Sequence, residues 1–224
     1  MMVMGDIVAR AQTTDSVVAL TFDDGPTPEY TDSILDLLRR ERVRATFFVV
    51  GGSLAQHPEL GRRIVEAGHV LGNHTWSHPR MVGLPLAEVR RQVDDTDRLI
   101  RLAGQRGPIY FRAPYSHKFV LLPWHLHRTG RTNVSWDVEP ETYETSADAI
   151  VRHTMERVRP GSIILLHPWF HSRDATRQAL PRLIHALRAE GYELVTVPEL
   201  LSREGVRSEP VSENTGSHAD VRPA

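Results

Sequence analysis

Short apolar runs alternate along the chain with longer segments in which apolar residues recur every three to four positions. Runs of four to eight aliphatic, β-branched or aromatic residues predict buried strands, and the longer period predicts amphipathic helices. Their alternation is typical of βα units around a parallel sheet. Seven strands are predicted: Val17–Phe22, Ala45–Val50, His69–Gly72, Ile109–Arg112, Asn133–Val138, Ser162–His167 and Tyr192–Thr196.

Amphipathic helices are expected between these strands, and Gly or Pro marks most of the junctions. Seven strand and helix units in 224 residues favour a single α/β domain folded as a small, irregular (β/α) barrel. An open doubly wound sheet has the same periodicity and stays the alternative. The predicted helices are Thr31–Arg42, Leu54–Ala67, Leu86–Leu102 and Thr176–Glu190.

The periodic pattern also sets the expected limits of the domain. It covers residues 15–202, with residues 1–14 as an N-terminal extension and residues 203–224 as a polar tail without apolar period. The first residues carry Asp6 and Arg10 and lack a basic start followed by an apolar run, so no leader is expected. No stretch approaches the roughly 18 apolar residues of a membrane span. The compartment stays open: cell envelope or secreted if a leader was removed, otherwise cytoplasmic.

Charge and composition narrow the class of partner. The net charge is -1 at pH 7, which gives no general attraction to nucleic acid or anionic lipid, whereas an uncharged substrate such as a carbohydrate is compatible. The chain has no cysteine, so any metal site must use nitrogen and oxygen ligands. The oligomeric state is not indicated.

Residues able to do chemistry stand where the predicted strands end. In a parallel barrel the working face lies at the carboxyl ends of the strands, so such residues are expected to meet there. Five of the seven strands end in or run into a titratable group: Asp23-Asp24, His74 with His78, Arg112, Asp137 and His167.

Asp24, His74 and His78 form a two-histidine, one-carboxylate set, which leaves positions open for water and substrate as catalytic zinc sites do. The spacing of four residues predicts both imidazoles on one side of a helical turn. Zn²⁺ suits these ligands best, and Co²⁺, Fe²⁺ and Mn²⁺ are compatible. Taken singly, Asp-Asp-Gly-Pro is a common turn and helix cap, and a histidine pair is commonly a surface feature.

The remaining polar residues suggest hydrolysis. A bound metal lowers the pKa of its water to about 7, so the adjacent Asp23 is a candidate general base, kept ionised by Arg112. His167 follows the apolar run Ile163–Leu166 and is placed to protonate a leaving amine or alkoxide. The ordinary alternative for His167 is a hydrogen-bonded histidine at a strand end.

These residues also fall into recognisable motifs. Over roughly Val17 to Leu201 the chain resembles the polysaccharide deacetylases, the NodB-homology group also called carbohydrate esterase family 4. Four of the five family motifs occur in the usual order: Thr21-Phe22-Asp23-Asp24-Gly25-Pro26, His74-Thr75-Trp76-Ser77-His78, Arg112-Ala113-Pro114-Tyr115 and Leu165-Leu166-His167.

The resemblance implies a distorted (β/α)7 barrel and a metal-dependent deacetylase. It implies Asp24, His74 and His78 as metal ligands, Asp23 as base and His167 as acid. It further implies that Arg112 orients Asp23 and that the backbone N–H of Tyr115 helps hold the oxyanion. Pro114 and Leu165 are expected at the substrate, with Leu165 lining a pocket for the acetyl methyl group.

Two positions depart from the family pattern. Thr142 and Tyr143 stand where the fourth motif usually ends in Asp-Trp, so the usual carboxylate partner of His167 is missing. Its protonated form is then expected to be less stable, unless Asp137, Glu139 or Glu141 substitutes. Pro168 stands where an Asp is common, which is expected to reshape the cleft.

Three tryptophans adjoin the motifs, and aromatic faces beside a cleft are suitable platforms for sugar rings. Trp76 and Trp136 are equally well explained by packing within the barrel. Trp169, beyond the sixth strand, is the preferred sugar contact.

The leading functional hypothesis is removal of acetyl groups from an N-acetylated glycan of the chitooligosaccharide or peptidoglycan type, or from acetylxylan. A small-molecule amidohydrolase would use the same metal, base and acid, and a short, closed cleft would favour it. A weakly active carbohydrate-binding relative is the third hypothesis, motivated by Thr142.

Overall fold

The computed structural model describes residues 7–116 and 121–204. Its strands pair in parallel, and helices connect most of them. The strands are β1 (Ile7–Val8), β2 (Val17–Asp23), β3 (Thr46–Val49), β4 (Val70–Asn73), β5 (Asn133–Val134), β6 (Ile163–Leu166) and β7 (Glu193–Val195).

The helices pack around these strands. Predicted helix Leu54–Ala67 is two helices, because Pro58 lacks a backbone N–H and starts a new helix after His57. The helices are α1 (Thr31–Glu41), α2 (Gly51–Gln56), α3 (Pro58–Glu66), α4 (Leu86–Leu102), α5 (Leu121–Arg128), α6 (Ala147–Arg157), α7 (Asp174–Ala189) and α8 (Val197–Ser202).

Strand β2 is the centre of the sheet, and all seven of its residues are buried. It pairs with β7 through Val17–Ala19, with β6 through Ala19–Phe22, and with β3 through Thr21–Asp23. A strand that is covered on both faces reads as a continuous apolar run, which explains why it is plain in the sequence. The run ends in Asp23, at the carboxyl edge of the sheet.

The ring of strands closes through single-residue pairs. Phe111 bridges β4 at Asn73 and β5 at Asn133, and Val138 bridges β6 at Ile164. Because β3 joins β4 to β2, and β2 joins β6, the circuit is complete. The predicted distorted (β/α) barrel is confirmed, and the distortion lies mainly on the β4–β5 side.

The predicted strand Ile109–Arg112 is wrong, since only Phe111 forms pairs there. Pro108 and Pro114 limit the segment on both sides, because proline cannot donate to a strand ladder. The chain is still held beside β4: the N–H of Asn73 donates to Tyr110 O at 2.8 Å and that of Arg112 to Asn73 O at 2.9 Å. Arg112 therefore has a fixed position despite the missing strand.

Part of the predicted N-terminal extension belongs to the barrel. Ile7 and Val8 pair in parallel with β5, and Ala11 is buried with its N–H donating to Gly161 O at 2.9 Å. Residues 1–6 of that extension, and residues 205–224 of the predicted tail, lie outside the described ranges. Within residues 7–116 and 121–204, no helix has both the length and the apolar character needed to cross a bilayer.

Candidate active site

A cleft of about 550 Å³ opens at the carboxyl ends of the strands, where the barrel architecture places catalytic groups. Residues from the loops after β2, β4 and β6 and from the segment around Phe111 meet in it. Its walls comprise Asp23, Asp24, His74, His78, Ala113, Tyr115, Trp136, Glu139, Leu165, His167, Phe170 and Arg173.

Asp24, His74 and His78 come together as a group that could hold a metal ion. Oδ1 of Asp24 lies 3.3 Å from Nε2 of His78 and 3.6 Å from Nε2 of His74. A tetrahedral ion with bonds of about 2.0–2.2 Å would separate its ligand atoms by about 3.4 Å. Oδ1 of Asp24 is buried and has no hydrogen-bond partner among the described residues. An orphaned carboxylate oxygen facing two imidazole nitrogens fits a divalent cation.

The two histidines meet in a loop, so the predicted helical turn is wrong. Thr75 and His78 have positive φ, 69° and 54°. Side chains hold this shape: Asn73 Oδ1 accepts from the N–H of Thr75 at 2.8 Å, and Thr75 Oγ1 accepts from that of His78 at 3.1 Å. Gln92 Oε1, on α4, accepts from the N–H groups of Trp76 and Ser77, both at 2.9 Å.

The surroundings of both imidazoles are compatible with metal binding. Nδ1 of His74 donates to Arg112 O at 2.8 Å, since a carbonyl can only accept, and this leaves Nε2 with a lone pair toward Asp24. Burial, reinforced by His74, lowers the pKa of His78 against the opposing charges of Asp24 and Asp23. A lowered pKa favours the neutral form, which is the one that binds metals.

Asp23 forms a buried ion pair beside the three candidate metal ligands. Its Oδ1 accepts from Nη1 of Arg112 at 2.6 Å, and its Oδ2 lies 3.6 Å from Nε2 of His74. Arg112 is 1% exposed and also donates to Thr21 Oγ1 and to the carbonyls of Val134 and Ser135. With these bonds the guanidinium is fixed in place, and so is the carboxylate that it contacts.

Glu141 is the carboxylate partner of His167. Its Oε2 accepts from both the backbone N–H and Nδ1 of His167, each at 2.8 Å, while its Oε1 accepts from Thr176 Oγ1. Burial lowers the pKa of His167, but the hydrogen bond that His167 donates to Glu141 and the charges of Asp23, Glu141 and Asp24 outweigh burial and raise the pKa. The predicted loss of a carboxylate partner is therefore compensated by Glu141, one of the three proposed substitutes.

Known proteins resemble this chain over most of its length. A family model described as polysaccharide deacetylase matches residues 10–134. The chain is 40% identical over 196 residues to a chitooligosaccharide deacetylase of Bradyrhizobium sp. (strain ANU 289), an alignment that covers 82% of this chain and 90% of that protein. It is 38% identical over 188 residues to a peptidoglycan-N-acetylglucosamine deacetylase of Bacillus cereus, covering 82% and 67%.

The chain belongs to the polysaccharide deacetylase family. The fold agrees: a crystal structure of a peptidoglycan N-acetylglucosamine deacetylase in complex with 4-naphthalen-1-yl-N-oxidanyl-benzamide matches with a TM-score of 0.83 and 31% identity. The match covers 88% of this chain and 94% of that one. The predicted family is thus confirmed, and the protein is an enzyme, a deacetylase.

Three further predicted residues of the deacetylase lie at or beside the cleft. Tyr115 is 51% exposed, has φ of 57°, and its ring centroid lies 4.8 Å from that of His78. Leu165 is buried and lines the cleft floor next to His167. Pro114 is buried and does not line the cleft, so the prediction that it contacts substrate is not supported.

The three tryptophans beside the motifs are distributed between core and cleft differently from the prediction. Trp169 is 2% exposed and packs against Phe22 and Phe47 in the core, so its prediction as the preferred sugar contact is wrong. Trp136 lines the cleft, with Nε1 donating to Glu139 Oε2 at 2.9 Å. Trp76 lies against α2 and is not part of the cleft wall.

Sequence reasoning missed several residues of the deacetylase's site. Phe170, 48% exposed, takes the rim position expected for its neighbour Trp169. Arg173 lines the cleft from a 3-10 turn after β6, and Gln92 holds the histidine loop from α4. Proximity to the His167 motif was a usable signal for Phe170 and Arg173, whereas the sequence held none for Gln92.

Proposed function

We propose that this deacetylase is metal-dependent and removes acetyl groups from an N-acetylated glycan of the chitooligosaccharide or peptidoglycan type. The observation that carries the proposal is the buried, unpartnered Oδ1 of Asp24, which faces the Nε2 atoms of His74 and His78 at 3.6 and 3.3 Å. The relatives named above act on glycans of these two kinds.

Asp24, His74 and His78 would hold the ion, with zinc as the first choice for two imidazoles and one carboxylate. Cobalt, iron and manganese accept the same donors. When bound, the ion supplies Lewis-acid chemistry, activating a water molecule and polarising the acetyl carbonyl.

Asp23 serves as general base. It lies beside the metal-binding group, 3.6 Å from His74 Nε2, and the 2.6 Å contact with Arg112 fixes its direction. One carboxylate oxygen is held by the guanidinium, so the other is left to accept a proton from the attacking water. Arg112 is the positioning residue for this step.

His167 serves as general acid and protonates the leaving sugar amine. Its Nδ1 is occupied by Glu141, so Nε2 is the atom that reaches the cleft. The raised pKa keeps more of the imidazole protonated near neutral pH. The backbone N–H of Tyr115 would stabilise the oxyanion, and Leu165 would contact the acetyl methyl group.

The competing hypotheses have weaker support. The weakly active binding relative was motivated by Thr142, but Glu141 provides the carboxylate that this position lacks. A small-molecule amidohydrolase predicts a closed cleft, whereas Tyr115 and Phe170 are each about half exposed at the rim of this one. The first observation favours an active enzyme, and the second favours a glycan substrate.

The test combines elemental analysis of the purified protein with measurement of acetate release. Chitooligosaccharides, peptidoglycan fragments and acetylxylan are incubated with the enzyme before and after chelation, and again after zinc is restored. We expect acetate from an N-acetylated glycan, its loss with chelator and its recovery with zinc. Equal release with and without bound metal would refute the metal dependence, and release from acetylxylan alone would refute the glycan class.

Two variants separate the metal ligand from the base. Asp24→Ala should lose both zinc and turnover, whereas Asp23→Asn should keep zinc and lose about 10²- to 10⁴-fold in turnover, the usual contribution of general base catalysis. His185→Ala, an exposed histidine on α7 that is 66% exposed, is the matched control and should change neither. Loss of zinc in Asp23→Asn would contradict these roles.

A further inference from the structure

Arg173 presents a positive charge to the cleft from the 3-10 turn His171–Arg173 that precedes α7. It is the one arginine among the residues that line the cleft in the described part of the chain. Its side chain is half-buried. Within residues 7–116 and 121–204, no carboxylate lies within ion-pair distance of the Arg173 guanidinium. Its positive charge is therefore not neutralised by an ion pair with these residues.

The neighbouring Arg177, in contrast, has a structural role, because its guanidinium is fully engaged with the surrounding protein. Its guanidinium donates to the carbonyls of Pro168 and Phe170, at 2.5 and 2.7 Å, and pairs with Asp174. It also lies 3.9 Å from the centre of the Tyr30 ring. Because Arg177 already holds the turn together, Arg173 is not required for that purpose.

The other charged groups of the cleft face groups other than Arg173. Arg112 holds Asp23 at 2.6 Å, Glu141 holds His167 at 2.8 Å, and Asp24 faces the two metal-binding histidines. Glu139 accepts from Trp136 at 2.9 Å, and its charge acts on the buried Arg112. The charge of Arg173 is therefore available to a ligand.

We propose that Arg173 is a specificity-determining residue that binds a carboxylate of the substrate close to the acetyl group that is removed. This proposal rests on the proposed function and narrows its substrate class to an acidic glycan. Peptidoglycan strands whose stem peptides have been removed have this chemistry, because their muramic acid residues then carry a free lactyl carboxylate, whereas chitooligosaccharides are neutral. A planar guanidinium offers paired N–H donors that match a carboxylate better than an ammonium does.

The test compares two tetrasaccharides of equal length: chitotetraose, and alternating N-acetylglucosamine and N-acetylmuramic acid. Wild type should have the lower KM for the acidic one. Arg173→Gln should raise that KM about tenfold, the low end of what a charge-assisted hydrogen bond contributes, with kcat and the kinetics on chitotetraose nearly unchanged. Methyl esterification of the lactyl groups should remove the wild-type preference.

Arg62→Gln on α3 is the matched control, since it removes the same charge from an exposed position that does not line the cleft. It should leave both substrates unaffected. A wild type that prefers chitotetraose would overturn the proposal, as would an Arg173→Gln variant that weakens both substrates equally, the result expected of a structural residue.

A binding measurement separates failure of this proposal from failure of the proposed function. Asp23→Asn and Asp23→Asn/Arg173→Gln are titrated with both tetrasaccharides by calorimetry, which requires no turnover. Tighter binding of the acidic tetrasaccharide that depends on Arg173 supports the proposal even if wild type releases no acetate. Equal affinities for both tetrasaccharides in both variants overturn it.

Discussion

Replacing Glu141 with Gln removes the negative charge beside His167, the proposed general acid, while preserving the shape of the side chain. The amide carbonyl can still accept from the N–H and Nδ1 of His167, and the Thr176 hydroxyl can turn to accept from the amide NH₂. The variant therefore tests the negative charge of Glu141 separately from its hydrogen bonds.

The size of the effect follows from the difference between two kinds of hydrogen bond. A hydrogen bond that involves a charged group contributes about 1.5–3 kcal/mol. The bond between two charged groups lies toward the upper end of that range and the bond from the imidazolium to a neutral amide toward the lower end, so protonated His167 loses roughly 1–1.5 kcal/mol. That is about a tenfold loss of acid catalysis near neutral pH, since 1.4 kcal/mol corresponds to a factor of ten.

The direction of the pH dependence follows from the pKa of His167, which Glu141 helps to raise above its ordinary value. A general acid works below its pKa and is lost as the pH rises through it. Glu141→Gln lowers that pKa, so the alkaline limb of kcat/KM should move to lower pH, while the low-pH limb should stay in place.

The assay is acetate release between pH 5 and 10 by zinc-loaded wild type and Glu141→Gln, with zinc content and thermal unfolding measured on the same samples. Glu144→Gln is the matched control, because Glu144 lies 3.6 Å from His153 and has no contact with His167. Thr142→Asp should not raise the rate. An unchanged alkaline limb in folded, zinc-loaded Glu141→Gln would refute the assignment of Glu141 as partner of the acid.

Three other substitutions test what supports the site. Gln92→Leu leaves two loop N–H groups without an acceptor and should cost about 2–3 kcal/mol and weaken zinc binding about tenfold or more, measured by denaturation and metal titration. Gly25→Ala would place a Cβ 2.5 Å from the Trp169 ring and should destabilise the fold by about 1–3 kcal/mol in thermal unfolding. Burial, aided by Arg44, lowers the pKa of His69 to about 4, so its contribution to stability is complete above pH 6.5 and falls by about 1.4 kcal/mol per pH unit toward pH 4. Urea unfolding across that range should show this slope reduced in His69→Asn, and an unchanged slope would contradict it.

The polar residues of the cleft could be predicted because they stand at the ends of plain apolar strands. Asp23 is the last residue of β2, and Asp24 and His167 directly follow β2 and β6, two strands with four successive apolar residues each. The length of each strand was harder to predict from the sequence. The run around Phe111 is as apolar as a strand, but its neighbour β5 has only two residues. An apolar run indicates that a segment is buried, not how many of its residues pair with a neighbouring strand.

Contacts between distant segments account for most of the remaining errors. His74 and His78 converge because Gln92, on another element, accepts two loop N–H groups, and such a bond leaves no periodic trace. Trp169 turns inward because Gly25, far away in the chain, leaves room for its ring. The apolar pattern of a single segment indicates neither of these contacts.

One oxygen of Glu141 accepts two hydrogen bonds from His167, and this has a consequence for how relatives of this enzyme are classified. Because a short 3-10 turn contains residues 140–142, the acid can be supplied one position earlier in the chain and still meet the same imidazole. A search that demands an aspartate at position 142 would class this chain among inactive members. A criterion that asks whether any carboxylate contacts the catalytic imidazole would class this chain among the active enzymes. It would do the same for any sequence that carries this carboxylate one position earlier.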